Sequence, residues 1–478
     1  MNPILVLSII SGYFLLLFII SGLTSRNSNS QTFFTANRKS PWYLVAFGMV
    51  GTALSGVTFI SVPGEVGNSA FLYMQFVLGN ILGYWLVAAV LLPIYYKLNL
   101  VSIYSFLNER LGRNSYKTGA FFFLISKLIG AAFRFYLVAI VLQIAFFDAF
   151  NIPFSITVIC SILLIWVYTF RGGIKTIVWT DTLQTLFLVA AVIFSIYAIS
   201  KSLGMNLATM VEEINNHPYS TAFQWEWKSE NNFFKQFFAG MFMTIVMFGM
   251  DQDMMQKNLT CKNKKEAQKN MVVFSFAFLI TVFLFLCLGV LLYLFAEQNG
   301  IKLPQQSDGL YPYLAINKLG LAVGIAFLLG ITSAAYSSAD SALTALTTSF
   351  CIDFIHFDRI PEHKQQRTRV SVHIFFSILL VLMVLLFKAI NNESVVVAVF
   401  KAAGYTYGPI LGLFIFGIYS RRKVVDKMVP YIGISAPVIS YFIASNSEFL
   451  FNGYRFGFEI LIMNGLLTLI GLQIFSKK

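Results

Sequence analysis

Thirteen apolar runs divide this chain from end to end. They lie at 3–23, 42–66, 70–98, 117–148, 154–170, 178–202, 233–258, 270–296, 319–353, 368–390, 393–419, 428–446 and 456–475. A bilayer core of about 30 Å needs roughly 20 helical residues, and only the run at 154–170 is short by itself. The charged fraction is 12%, whereas soluble domains carry about 25%. We therefore predict an all-α integral membrane protein with thirteen transmembrane helices and exclude soluble enzymes.

The distribution of basic residues predicts the orientation of the chain. If every run crosses the bilayer, 24 Lys and Arg residues fall on one side and 7 on the other. The positive-inside rule places the richer side in the cytoplasm, so we expect a multi-pass protein of the plasma (inner) membrane with its N-terminus outside and its C-terminus inside. The net charge is +13. Because the charged residues lie between apolar runs, this charge does not indicate a nucleic-acid partner. The first run lacks a basic leader and a cleavage site, which favours a retained helix.

Two runs contain residues that interrupt helices. The second run includes Gly51, Ser55, Gly56, Pro63 and Gly64. Unwinding there would expose carbonyls that a membrane tolerates only along a cavity or at an ion, although a Gly/Ser face for close helix packing is an equal alternative. The seventh run carries a comparable break at 247–253, five spans later. Because five is odd, a repeated five-helix unit must be inverted.

The chain reads as one membrane domain, residues 1–478, without a linker. We expect a peripheral helix at 3–23, a first inverted repeat at 42–202, a second at 233–419, and two peripheral helices at 428–475. The four Cys form no CxxC pair and the four His form no cluster, so neither a disulfide framework nor a zinc site is predicted. We find no catalytic constellation and predict that the protein is not an enzyme.

The ninth run holds the densest group of polar residues within the apolar runs. Its members are Thr332, Ser333, Ser337, Ser338, Asp340, Ser341 and Thr344. Hydroxyls and carbonyls are hard ligands that suit Na⁺, whereas the alternative is hydrogen bonding of each hydroxyl back to its own helix. At the start of the sixth run, Asp181 is either a helix cap or an ion ligand.

Arg134 lies near the middle of the run at 117–148. A central Arg is costly and normally faces a cavity or a partner, and its planar fork matches a carboxylate. It therefore binds either a substrate carboxylate or an internal acid such as Asp340. Lys401 is either a fixed charge in the core or the partner of an acid.

The chain resembles the sodium:solute symporter family, which includes Na⁺/glucose, Na⁺/proline and Na⁺/sialic acid carriers. The resemblance spans nearly the whole chain. It rests on FFTANRKSPW at 33–42, SFLNERLG at 105–112, GG at 172–173 with WTD at 179–181, EAQK at 266–269 and SSADS at 337–341. It implies the LeuT-type fold of two inverted five-helix repeats, with one extra N-terminal and two extra C-terminal helices.

The resemblance also implies site residues. The principal Na⁺ site would use carbonyls of Gly51, Leu54 and Ala334 and hydroxyls of Ser337 and Ser338. A second Na⁺ site, present in some members, would fall on Asp181, Ser337, Asp340 and Ser341. The substrate would contact Ser55, Thr58, Phe71, Gln75 and Arg134, as in the sialic acid branch. For Phe71 and Gln75, ordinary helix packing is the alternative.

We therefore expect Na⁺-coupled symport of a small organic solute into the cell by alternating access. The solute is predicted to be anionic, bearing a carboxylate as sialic acid does, with Na⁺ as the coupling ion. The alternatives are a neutral sugar or proline-like amino acid carrier and, in a different class, a membrane sensor that does not transport. The sequence does not indicate the oligomeric state or the number of ions.

Overall fold

The computed structural model describes residues 3–24, 30–169, 173–390 and 395–477, which are almost entirely helical. Gly172 of the GG marker, and the ends of the predicted runs at 170 and 393, lie outside these residues. A helix is the expected result for long apolar runs, since it satisfies every backbone polar group within its own segment.

The first half of the chain contains eleven described α-helices. They are α1 Pro3–Thr24, α2 Ser30–Thr35, α3 Trp42–Ala53, α4 Gly56–Ser69, α5 Tyr73–Leu86, α6 Leu92–Lys97, α7 Ser105–Arg110, α8 Arg113–Ala145, α9 Phe154–Thr169, α10 Gly173–Ser202 and α11 Leu207–Asn216.

The second half contains eleven more. They are α12 Phe233–Thr244, α13 Gln252–Asn258, α14 Lys264–Gln298, α15 Leu310–Asn317, α16 Leu321–Ser349, α17 Glu362–Ile390, α18 Val395–Thr406, α19 Gly408–Tyr419, α20 Val429–Ser445, α21 Ser447–Leu450 and α22 Ile460–Ile474. Two short antiparallel strands, β1 Lys423–Val424 and β2 Ser476–Lys477, pair near the end of the chain.

Among the described residues, eight helices are long and apolar enough to cross a membrane. The number rises to ten when two bent pairs each count as one span: Phe233–Gly249 with Gln252–Asn258, bent by 68°, and Val397–Thr406 with Gly408–Tyr419, bent by 46°. Shorter apolar helices lie at Trp42–Ala53, Phe154–Val167 and Ile460–Ile474. The all-α membrane fold is confirmed, whereas the count of thirteen crossings and the boundaries of the repeats stay predictions.

The second run is interrupted between α3 and α4. Leu54 (φ −84°, ψ 63°) and Ser55 (φ −59°, ψ 173°) leave the helical region. Helix α4 then continues through Pro63, so the interruption occurs at the Gly/Ser segment rather than at the proline. Gly and Ser are weak helix formers, and the neighbouring helices stabilise the non-helical backbone here.

Helix α16 is the centre of the bundle. It packs against α10 and α8, and α10 in turn packs against α3. Every residue of α16 from 330 to 349 is buried, as expected of a helix surrounded by other helices. Its polar side chains are therefore shielded from solvent, and they bond within α16, as Thr347 does to the Leu343 carbonyl, or to neighbouring helices, as Ser337 does to Asp181.

Candidate functional site

A cluster of four buried polar side chains lies beside the break between α3 and α4. Ser337 Oγ donates a hydrogen bond to Asp181 Oδ1 at 2.6 Å, and Thr52 Oγ1 donates to Asp181 Oδ2 at 3.0 Å. Lys257 Nζ lies 2.6 Å from Asp181 Oδ2 and also donates to Thr52 Oγ1. None of the four residues is more than 1% exposed. The cluster joins α3, α10, α13 and α16.

Glycine in α3 allows α10 to approach closely enough to form this cluster. A Cβ on Gly51 would lie 2.2 Å from Thr185 Oγ1, and one on Gly48 would lie 3.0 Å from Asp181 Cβ. The Gly51 amide donates to Thr185 Oγ1 at 2.9 Å. The backbone of α3 therefore packs directly against side chains of α10. This close approach places Asp181 within hydrogen-bonding distance of Thr52.

The five residues predicted for the principal Na⁺ site lie on the two segments that meet at this break. Gly51 and Leu54 lie at the end of α3, and Ser338 Oγ contacts the Thr52 carbonyl oxygen at 3.4 Å. Leu54 and Ala334 are buried. Carbonyl and hydroxyl oxygens of this kind suit a hard monovalent cation. The geometry brings the two segments together, and the individual ligand roles stay predictions.

The four residues predicted for a second Na⁺ site have different neighbours. Asp181 and Ser337 share a hydrogen bond, whereas Ser341 Oγ donates to Asp340 Oδ1 at 3.3 Å. The Asp181 carboxylate already binds a cation, the ammonium of Lys257. Which of these residues bind an ion stays a prediction.

Lys257 is a site residue that sequence reasoning missed. We counted it among the basic residues between the runs, yet its side chain is only 2% exposed. The physical reason is its partner, because a buried ammonium is tolerated only when it is paired and hydrogen-bonded. The available signal was its position inside the run at 233–258, six residues after the acidic break.

A cavity of about 80 Å³ lies next to the break, and Ser55, Thr58 and Arg134 line it. Its wall also includes several aromatic side chains, among them Tyr73, Phe76, Tyr84 and Phe400. Apolar surface with a few convergent polar groups is typical of a site for a small organic molecule. A volume of this size holds a few water molecules, so the walls must move to admit a solute as large as a sugar.

Arg134 has no ion pair or hydrogen bond with any residue that the structure describes. The internal pair with Asp340, which we considered as an alternative, is therefore not formed. Since the guanidinium lines the cavity with its donors unused, it is available to a ligand.

Phe71 and Gln75 do not line this cavity. Gln75 is fully buried; its side chain donates to the Asn231 carbonyl at 2.9 Å and accepts from the Gln224 amide at 3.0 Å. The Phe71 amide donates to the Thr221 carbonyl at 3.1 Å. In this structure both residues anchor the segment between α11 and α12, and their predicted contact with a substrate stays untested.

A second cluster of buried charged side chains lies at one end of the cavity. Lys127 Nζ lies 2.6 Å from Asp253 Oδ2 and 3.4 Å from Asp251 Oδ1. Tyr407 donates to Asp251 Oδ2 at 2.5 Å, while Asp251 Oδ1 caps α13 by accepting from the Asp253 amide at 2.9 Å. These contacts join α8, α13 and the turn between α18 and α19 below the cavity.

Lys401 does not contribute a buried charge to the core. It lies between Phe400 and Ala402, which both line the cavity, but its own side chain is exposed. A helix directs successive residues to different faces, which explains why its neighbours reach the cavity and Lys401 does not.

Broken helices that meet at buried hydroxyl and carbonyl oxygens, beside a cavity lined by polar and aromatic side chains, are typical of a secondary active transporter. The family model for the sodium:solute symporter family matches residues 33–425, and the chain therefore belongs to that family. It is a Na⁺-coupled symporter of a small solute and a multi-pass membrane protein, as the sequence predicted.

Two curated relatives cover almost the whole chain. The sodium/sialic acid symporter NanT of Aliivibrio fischeri (strain ATCC 700601 / ES114) is 26% identical, over 93% of this chain and 88% of the relative. The sodium/sialic acid symporter SiaT of Proteus mirabilis (strain HI4320) is 24% identical, over 95% of this chain and 93% of the relative. Both relatives are transporters rather than enzymes.

A solved structure has the same fold. It is the substrate-bound outward-open state of a Na⁺-coupled sialic acid symporter, with a TM-score of 0.82 and 19% sequence identity, over 99% of this chain and 98% of that one. The similarity confirms the LeuT-type architecture that we predicted.

Proposed function

We propose that this protein imports a small carboxylate-bearing solute of the sialic acid class together with Na⁺, by alternating access. The observation that carries the proposal is the guanidinium of Arg134, which lies in the wall of the cavity next to the broken helix α3–α4 and has no ion pair or hydrogen bond with a described residue. Full-length similarity to two sialic acid symporters supports the same solute class.

The chemistry of Arg134 favours an anionic solute. A charged side chain in the middle of a membrane helix costs several kcal/mol unless it has a partner. A guanidinium presents parallel N–H donors that match the two oxygens of a carboxylate. A solute carboxylate would therefore supply the partner that the described residues do not supply.

The remaining cavity surface suits a hydroxylated ring. Ser55 and Thr58 present hydroxyl groups next to the break, and aromatic side chains such as Tyr73 and Phe76 form a flat wall. Aromatic faces pack against the apolar face of a ring, and hydroxyls exchange hydrogen bonds with polar substituents. A neutral sugar would use the same wall, but it would leave Arg134 without a counter-charge.

Na⁺ is proposed to bind where the end of α3 meets Ser337 and Ser338 of α16. Ser55 and Thr58 follow directly after that segment in the chain. A cation that fixes the backbone at Leu54 therefore also fixes the side chains that contact the solute. The coupling is reciprocal, so Na⁺ and solute raise each other's affinity by the same factor, typically about 5- to 150-fold.

The basic residues support an orientation with the C-terminus and the Lys- and Arg-rich connections in the cytoplasm of a plasma membrane. Helix α13 then lies on the cytoplasmic side of the cavity. The contacts of Lys127 with Asp253 and of Tyr407 with Asp251 would close that side, and they must separate for the solute and Na⁺ to leave.

Uptake into proteoliposomes tests the proposal. Purified protein is reconstituted and offered labelled sialic acid, a neutral hexose, proline and a short monocarboxylate, each under an inward Na⁺ gradient or a matched K⁺ gradient. We expect accumulation of the carboxylated sugar with Na⁺ alone. Indifference to Na⁺ would reject symport, preference for hexose or proline would reject the solute class, and binding without uptake would indicate a sensor.

A further inference from the structure

The Asp181 carboxylate is surrounded by the oxygens that a second Na⁺ would require, and a cation already lies among them. Thr52 Oγ1 and Ser337 Oγ contact each other at 3.1 Å and both contact Asp181. The Lys257 ammonium bonds to two members of this set, Asp181 Oδ2 and Thr52 Oγ1.

An ammonium and a Na⁺ ion are alternatives at such a place. Both are monovalent, and both are satisfied by carboxylate and hydroxyl oxygens. The Lys257 Nζ atom lies 2.6 Å from Asp181 Oδ2 and also bonds to Thr52 Oγ1. It therefore takes the position between these two oxygens that a Na⁺ ion bound to both would take.

The balance of charge leads to the same conclusion. One buried carboxylate and one buried ammonium cancel, and the pair needs no further ion. An additional Na⁺ at Asp181 would leave an uncompensated positive charge among fully buried side chains, which is strongly unfavourable. The ammonium is also covalently part of the protein. Unlike a Na⁺ ion, it does not have to bind from solution in each transport cycle.

We propose that Lys257 is the built-in cation of the site at Asp181, and that this protein consequently binds one Na⁺, at the break between α3 and α4, instead of two. The inference goes beyond the proposed solute and depends only on Na⁺ coupling. Lys257 is then the residue that determines how many Na⁺ ions bind. An alkali cation is the ligand that would bind at Asp181 if the ammonium of Lys257 were removed.

Direct counting of bound ²²Na⁺ tests this proposal without any solute. We expect one saturable Na⁺ per wild-type protein and one in the charge-retaining Lys257→Arg variant. Lys257→Met should gain a second Na⁺, because Asp181 would then lack its counter-charge. The double variant Lys257→Met/Asp181→Asn should return to one.

Two results would overturn the proposal: two Na⁺ ions bound to the wild-type protein, or an unchanged count of one in Lys257→Met. If Lys257→Met does not give a monodisperse protein, Lys257→Gln removes the charge while keeping a polar end, and the same two results apply to it. Because no solute is present, a wrong solute class would leave this count unaffected.

Discussion

The ammonium of Lys257 in α13 lies 2.6 Å from the carboxylate of Asp181 in α10, and both side chains are buried at the point where α3 is interrupted. The pair connects α13, the second half of one broken span, to α10, which packs against α3, the first half of the other broken span. Any movement of α13 must therefore either carry α10 along or separate two opposite charges.

Breaking this pair from one side should strongly destabilise the protein. We expect Asp181→Asn to lower the free energy of unfolding by about 3–5 kcal/mol, because it leaves the Lys257 ammonium buried without a counter-charge. Lys257→Met/Asp181→Asn should recover a large part of this loss. The measurement is thermal unfolding of the detergent-solubilised protein in K⁺ buffer. Equal stabilities of the single and double variants would show that the two charges are not coupled.

Removing the guanidinium of Arg134 should selectively impair the carboxylated solute. A hydrogen-bonded charge pair contributes about 1.5–3 kcal/mol, so Arg134→Ala should raise the half-saturating solute concentration about 10- to 100-fold. Lys at this position should restore part of the affinity, since it keeps the charge but loses the planar fork.

The control for Arg134→Ala is binding of ²²Na⁺ to the same preparation. It should match wild type because Arg134 has no hydrogen bond or ion pair with any described residue, the predicted Na⁺ ligands included. Normal uptake of the carboxylated solute by Arg134→Ala would contradict its assigned role.

Ser338→Ala should weaken the response to Na⁺. Its hydroxyl contacts the Thr52 carbonyl, and we expect loss of one ion ligand to raise the half-saturating Na⁺ concentration by about tenfold, or about 1.4 kcal/mol. Uptake measured across a series of Na⁺ concentrations checks this. Thr281→Val is a matched control, because among the described residues the Thr281 hydroxyl bonds only to the Ala277 carbonyl of its own helix. An equal effect of both variants would argue against a ligand role for Ser338.

Cys261 should report opening at the end of α13. It lies in the connection between α13 and α14, where burial raises the pKa of its thiol to about 12. A raised pKa means that the reactive thiolate is lost as the pH falls below 12. At pH 8, maleimide labelling should therefore be about a thousandfold slower than for a thiol with a pKa of 9.

The labelling is measured in a variant in which Cys160, Cys287 and Cys351 are replaced by Ser, with detergent-denatured protein as the reference for full reaction. Labelling should accelerate in any condition that exposes this connection, such as Na⁺-free buffer if the inward-open state is then populated. Rapid labelling of Cys261 in every condition would mean that it is not buried in solution.

The sequence predicted the membrane fold because the length and composition of an apolar run are local properties. The same holds for the hydroxyl-rich face of α16, since residues such as Ser337 and Ser341 share a face through helical spacing alone. The break between α3 and α4 was predicted only in part. The Gly and Ser residues from Gly51 to Gly56 indicated either unwinding or close helix packing, and the structure shows that the backbone leaves the helical region at Leu54 and Ser55. The family motifs in the chain indicated that Na⁺ is the coupling ion.

Local sequence patterns did not predict which residues pair with the buried charges. Lys257 and Asp181 are 76 residues apart, and Lys127 and Asp251 are 124 residues apart. The position of Lys257 inside the run at 233–258 is a local sign of burial, but it does not identify the acid that pairs with the lysine. Gln75 is similar, because its contacts with Gln224 and Asn231 depend on the course of a segment about 150 residues away.

The amino-acid sequence by itself determined that this chain crosses a membrane repeatedly and that it belongs among Na⁺-coupled carriers. Only the tertiary structure decided that Arg134 lines a cavity without an ion pair among the described residues, while Lys257 neutralises Asp181. The reason is physical: apolar length and helix propensity are summed along the chain, whereas the free energy of a buried charge depends on which opposite charge packing brings within about 3 Å of it.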